Sequence, residues 1–465
     1  MTAGAAAAPG PLARALSSLS VRNYRLYFWG YSVSVAGTWM QSLALALLVL
    51  RLTGSGSDLG IATAARFLPF VVLGPVGGLV ADRYDKRRLL YLTQSASAGI
   101  AVLFAVLTAL DAINVGLVIG LSLLLGSLTV FDNPARQSLI GELVPRERLA
   151  NAVTLNSVSV NMARVIGSAA GGAIVAALGL TTCFALNAVS FGAVIVSLAR
   201  MRRSEMAPVD RPPRQKGQIR DGLRYTRRTP ALLLPLLMLT VTGMLAYEFP
   251  LTLPLVARGA FHGGAGTFGA MVTVMAVGAV VGGLIVAARG APRRPGALAV
   301  AGIGWGLAIL AAALAPDLAV ELAVLPFVGY GSITFNSLSK TAMQLAAAPS
   351  MRGRVMALWA MAWGGTTVVG GPLVGWIGQT FGSRWSLIAG GAPTLALGLL
   401  MYPVMRRTVP PPDEVTSERG STSEPASASG SPTTGATAAV EPTRPEAAAA
   451  EVPPAPADAR TPHGS

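Results

Sequence analysis

Charge is what this 465-residue sequence has least of: Asp, Glu, Lys and Arg make up 12%, against 52% hydrophobic residues. A soluble globular chain carries roughly 25% charged residues, so the composition excludes a soluble fold and indicates one large integral membrane domain. Cysteine is reduced to Cys183, which excludes an internal disulfide and, inside an apolar run, leaves packing as its role. Only two histidines occur, His262 between apolar runs and His463 near the C-terminus, so no histidine-based metal site is expected, and no cofactor. A phosphate-binding Gly-Lys-Ser/Thr loop is missing, which argues against ATP drive. No nucleophile–histidine pair lies within the apolar runs, so catalysis is not indicated.

What the chain has instead is apolar length. Runs with no charge or one charge occupy 27–50, 59–81, 89–110, 112–131, 149–178, 180–199, 231–257, 263–288, 296–316, 322–339, 355–383 and 385–405. At roughly 1.5 Å per helical residue, all but the tenth reach the ~30 Å of a bilayer core, and the tenth nearly does. The first, 24 residues long, exceeds the apolar core of a signal peptide and reads as an uncleaved span.

The net charge of +15 is a topology signal. Arginine outnumbers lysine 33 to 3, and the tail from Thr408 holds eight acids and three arginines, leaving +20 on the remainder. Loops after the even-numbered spans hold the clusters: Arg83, Lys86, Arg87 and Arg88; Arg136, Arg146 and Arg148; ten basic residues in 200–230; Arg289, Arg293 and Arg294; Arg352 and Arg354. The opposite loops carry only Arg51, Arg258 and Arg384. This bias places both termini in the cytoplasm and removes nucleic acid as a partner.

The expected organisation is a cytoplasmic N-terminal segment at 1–26, a six-helix bundle at 27–199, a central basic loop at 200–230, a second six-helix bundle at 231–405 and a disordered cytoplasmic tail at 406–465. Leu139, Ile140, Leu143 and Val144 share one face, predicting a short surface helix over 137–144. A shift of 204 residues superposes Pro145 on Pro349, Arg148 on Arg352, Gly167 on Gly371 and Gly171 on Gly375. Duplicated bundles of this kind are a transporter architecture, one half rocking against the other.

The densest charge lies in Gly78-Leu79-Val80-Ala81-Asp82-Arg83-Tyr84-Asp85-Lys86-Arg87-Arg88, six charges in seven positions between two apolar runs. This stretch resembles the loop 2–3 motif of the major facilitator superfamily, Gly-x-Leu-Ala-Asp-Arg-x-Gly-Arg-Lys, with Asp85 in place of the motif glycine. Asp85, Gly37-Thr38-Trp39-Met40-Gln41, Asn133-Pro134-Ala135-Arg136-Gln137 and Glu142-Leu143-Val144-Pro145 are similar to the drug- and siderophore-exporter branch, that of the enterobactin exporter and the macrolide efflux pumps. Gly167-Ser168-x-x-Gly171-Gly172 resembles the antiporter motif with Ser168 replacing its proline, which Gly371-Pro372-x-x-Gly375 retains.

The resemblance implies a twelve-helix, all-α membrane protein in two six-helix bundles. It would be a monomer of a bacterial inner membrane, exporting small amphipathic molecules such as drugs, antibiotics or secondary metabolites in exchange for protons. A dedicated siderophore exporter is the alternative within this class; a non-transporting sensor or scaffold is the alternative outside it. In family terms Asp82 meets helix 11, beginning near Arg352 to Val355, while Arg83, Lys86, Arg87 and Arg88 reach Asp132 and Glu142 as a gate. A purely topological role for the knot stays open.

Ionisable residues inside spans are costly and mark functional candidates. Arg66, Arg164 and Glu248 lie near the middle of their runs. Glu248 is the candidate proton-coupling carboxyl, the alternative being a structural pair with an arginine. Trp39, Gln41, Arg66, Asn156, Arg164, Tyr247 and Asn336 form the candidate substrate cavity. Gly167, Gly171, Gly172, Gly371 and Gly375 make small-residue faces for close helix packing.

Overall fold

The computed structural model describes residues 16–206, 218–289, 296–349 and 351–408, without the side chains of 75, 76, 78, 79, 81, 82, 218, 219, 287, 289 and 408. The expected tail beyond 408, the segment before 16, the basic stretch 207–217 and the turn 290–295 lie outside the described residues. Among those described, all regular structure is helical: α1 Arg22–Thr53, α2 Gly56–Arg83, α3 Lys86–Ala109, α4 Val115–Leu143, α5 Arg146–Arg200, α6 Gln218–Arg228 and α7 Pro230–Leu245 come first. They are followed by α8 Phe249–Gly259, α9 Ala265–Arg289, α10 Ala297–Ala313, α11 Leu318–Ala346, α12 Arg352–Gly364, α13 Thr367–Phe381 and α14 Ser383–Thr408. Nine helical stretches among the described residues are long and apolar enough to cross a membrane. An all-helical answer is what hydrocarbon demands, since each backbone N–H and C=O must be satisfied within its own segment.

Short polar residues start and stop these helices. Ser55 accepts from the Asp58 amide (3.1 Å), Asp85 from Arg88 (2.9 Å), Asn114 from Leu117 (3.0 Å) and Asp317 from Val320 (2.9 Å), each satisfying an orphan N–H of the first turn. Gly54, at φ +66°, closes α1 in the left-handed conformation that glycine adopts without penalty.

Helices α1, α3 and α5 pack together, as do α2 and α4; further along the chain α9 and α10 flank α11, and α10 also packs on α14. The two most extensive pairings between the earlier helices and the later ones are α2 with α13 and α5 with α9. One end of the bundle carries short loops, where Arg258 donates to the Leu50 carbonyl (2.5 Å) and Arg384 to Ala313 (3.1 Å) and Ala315 (2.5 Å). The other, basic end carries the charge knot and the arginine-rich helix α6.

Four departures from the sequence expectation concern continuity. Residues 137–144 are no separate surface helix: α4 runs unbroken to Leu143, and Leu139, Ile140, Leu143 and Val144 are buried against Tyr24 and Tyr27. Pro134 sits inside α4 and leaves the Val130 carbonyl without its amide partner. That oxygen packs against Gly77 of α2, where any Cβ would collide with it. The fifth and sixth apolar runs are one stretch, α5, interrupted at Gly179 (φ +84°, ψ 176°). The seventh is broken into α7 and α8 at Ala246–Glu248, and the eleventh into α12 and α13 at Gly365–Thr366.

Candidate functional site

At the short-loop end the first and second halves of the chain meet backbone to backbone. A Cβ on Gly56 would lie 2.8 Å from the Gly375 carbonyl oxygen, and one on Gly371 would lie 3.0 Å from that of Gly60. A Cβ on Gly172 would lie 2.7 Å from the Cα of Gly269. The Gly56 amide donates to Gln379 (2.6 Å) across the same seam. The predicted packing glycines therefore divide. Gly172, Gly371 and Gly375 serve the seam between halves, whereas Gly167 and Gly171 press on Trp39 and Met40 of α1 within the first half.

Midway along the helices the two breaks face each other. A Cβ on Gly243 would lie 2.8 Å from Thr366 Oγ1, which puts the end of α7 against the start of α13. Glu248 precedes α8 at the first break, 2% exposed, and its main-chain oxygen accepts from the amides of Leu251 (3.0 Å) and Thr252 (2.8 Å). Its carboxyl lies within hydrogen-bonding reach of Thr367, the first residue of α13, and its Oε1 has no partner among the described residues. The carboxyl thus stands at the N-termini of two helices, where backbone dipoles favour negative charge. It forms no ion pair among the described residues.

Beside it, the Tyr247 hydroxyl donates to the Ser332 carbonyl (2.7 Å) and lies within reach of the Asn336 side chain, and its ring packs 4.6 Å from that of Trp305. Arg164, on α5, acts electrostatically on Tyr247 across the halves. The same guanidinium donates to Asn161 (2.9 Å) and lies 5.7 Å over the Trp39 ring. Arg66 donates to Ser42 (3.5 Å). Asn156 is half-buried on the α5 face two turns before Arg164. Gln41 stands apart from this group: it is 3% exposed and accepts from the Asn187 amide, which fixes α1 to the second part of α5.

At the basic end Lys86 pairs with Glu142 (2.8 Å) and Arg203 with Asp85 (3.6 Å), while Arg87 donates to the Ala199 carbonyl (3.0 Å). Asp132 is held by Thr93 (2.9 Å), Gln94 (2.7 Å) and Arg136 (3.4 Å) rather than by the knot. Arg83 and Arg88 are exposed. The side chains of Gly78 and Asp82, and with them the expected contact to helix 11, lie outside the described residues. Among those described, no bond joins the knot to α12, whose Arg354 pairs with Asp221 of α6 (3.7 Å).

Glu321 escaped the sequence reading because it falls one residue before the tenth apolar run. It is fully buried, neither carboxyl oxygen has a hydrogen-bond partner among the described residues, and Arg384 acts on it electrostatically. The two helix breaks also passed unnoticed, although Pro250 in the first turn of α8 and the pair Gly364-Gly365 were their signals.

A family profile described as transmembrane secretion effector matches residues 13–429. The staphyloferrin A transporter of Staphylococcus aureus is 28% identical over 264 residues, 56% of this chain and 66% of that protein. An uncharacterized transporter of Bacillus subtilis is 30% identical over 44% of this chain and 49% of its own length, so the match spans about half to two thirds of these two relatives. The multidrug efflux pump Tap of Mycobacterium tuberculosis is 27% identical over 79% of this chain and 90% of its own. Among solved structures, a bacterial homologue of the human lysosomal transporter Spinster, inward-facing and unoccupied, superposes with a TM-score of 0.68 at 15% identity, over 86% of this chain and 98% of that one. At that identity the likeness is one of fold.

Proposed function

The chain belongs to the transmembrane secretion effector family of major facilitator transporters, and on that premise we propose a proton-coupled exporter of small amphipathic molecules that works by alternating access. Residues 27–199 and 231–405 are read as its two six-helix bundles, each broken helix counting as one span. The termini, the central 200–230 segment and the charge knot are read as cytoplasmic, in a bacterial inner membrane.

The glycine seam carries this proposal. The halves touch through bare backbone at the short-loop end, where glycines let the contact part and re-form. Asp82 meeting α12 would hold the other end closed. Glu248, buried between two helix N-termini, is the proposed proton site. Relatives named as a multidrug efflux pump and as siderophore transporters support export of either class. The test is counterflow and proton-driven uptake in everted vesicles. Saturable uptake that collapses with the proton gradient is expected, and a non-saturating flux would make the protein a channel.

A further inference from the structure

Among the described residues, Arg66 and Arg164 at the centre of the bundle form no ion pair. Arg66 stands ten residues into α2 and Arg164 eighteen residues into α5, about 15 and 27 Å from those helix starts at roughly 1.5 Å per residue. Both side chains are half-buried at that depth. Arg66 has one long bond, to Ser42 (3.5 Å). Arg164 has one, to Asn161 (2.9 Å), and its Nε is buried with no partner. Neither meets a carboxylate among the described residues, and Glu248 turns to Thr367 instead. A guanidinium at membrane depth is retained against a cost of several kcal/mol, which an anion offsets. Aromatic surface lies beside the charge, with the Trp39 ring 5.7 Å under the Arg164 guanidinium.

We propose that this central site takes an amphipathic anion, an aromatic or apolar body bearing a carboxylate-type group, with Arg164 and Arg66 supplying the missing half of the ion pair. The forked guanidinium of Arg164 grips the anion, and Trp39 covers the body. Cationic amphiphiles are excluded by the same charges. This assignment rests on the exporter reading and names its substrate class.

The experiment uses two dyes on one xanthene ring system, fluorescein (anionic) and rhodamine 123 (cationic), in everted vesicles from cells making the full chain. Energised, saturable fluorescein uptake at about ten times the rhodamine 123 rate is expected, the factor that ~1.4 kcal/mol supplies. Arg164→Gln should remove most of that preference and Arg164→Lys restore part of it. Arg66→Gln, with detergent melting temperatures for each variant, separates loss of the site from loss of the fold. Rhodamine 123 carried as well as fluorescein, or fluorescein uptake unchanged in both glutamine variants, overturns the anion site and leaves the exporter standing. Uptake of neither dye overturns the anion site as drawn, and the exporter reading then stands or falls by its own counterflow test.

Discussion

Lys86 Nζ lies 2.8 Å from Glu142 Oε1, with only 10% and 12% of the two side chains exposed. The pair ties the first residue of α3 to the last turn of α4, and so converts the turn after α2 into a fixed part of the first half. Removing one partner leaves a largely desolvated charge. Lys86→Met is therefore expected to cost about 2 kcal/mol, with Lys86→Met/Glu142→Leu recovering much of it, as read by thermal unfolding in detergent. Equal stability of the single and double variants would show that the pair carries no coupling.

Gly375→Val places methyl groups where the Gly56 carbonyl now lies. Overpacking of this kind costs about 1–3 kcal/mol, all of it charged to the state in which the short-loop end is closed. The population should move toward the alternative state. Labelled cysteine pairs at that end, in the Cys183→Ser background, should report longer distances by electron–electron resonance.

Glu248→Gln keeps size and hydrogen-bonding capacity but fixes the group as neutral. Proton-driven uptake should fall more than tenfold while counterflow persists, because exchange needs no net proton movement. Unchanged proton-driven uptake would remove Glu248 as the coupling site.

Asn187→Leu strands the Gln41 amide between α1 and α5. A loss of about 1–3 kcal/mol is expected from leaving a buried polar group unsatisfied, with transport per folded molecule little changed. A selective loss of transport with intact stability would instead return Gln41 to the substrate path.

Most of the helical plan is legible in the sequence, because hydrocarbon leaves few ways to arrange a chain and charge marks each exit. The breaks at Ala246–Glu248 and Gly365–Thr366 were hidden by the same rule: apolar residues continue through them, so hydropathy sees one span. Tertiary partners were hidden for a different reason. Gln41 looks like a cavity polar group until the packing of α1 on α5 joins it to Asn187, and Gly167 and Gly172 share a motif but face different helices. Asp132 carries an acid's signature without its acidic role in the knot, since Thr93 and Gln94 reach it first.

The seam of Gly56 and Gly60 against Gly371 and Gly375 has a thermodynamic consequence. Closing an interface of leucines or methionines would freeze rotamers at up to about 2 kcal/mol each, a penalty that grows with temperature. Glycine has no rotamers to lose. The seam can part and re-form without a side-chain entropy term, so the balance between the two states should drift little with temperature on that account, leaving charge and bound solute to decide which end is open.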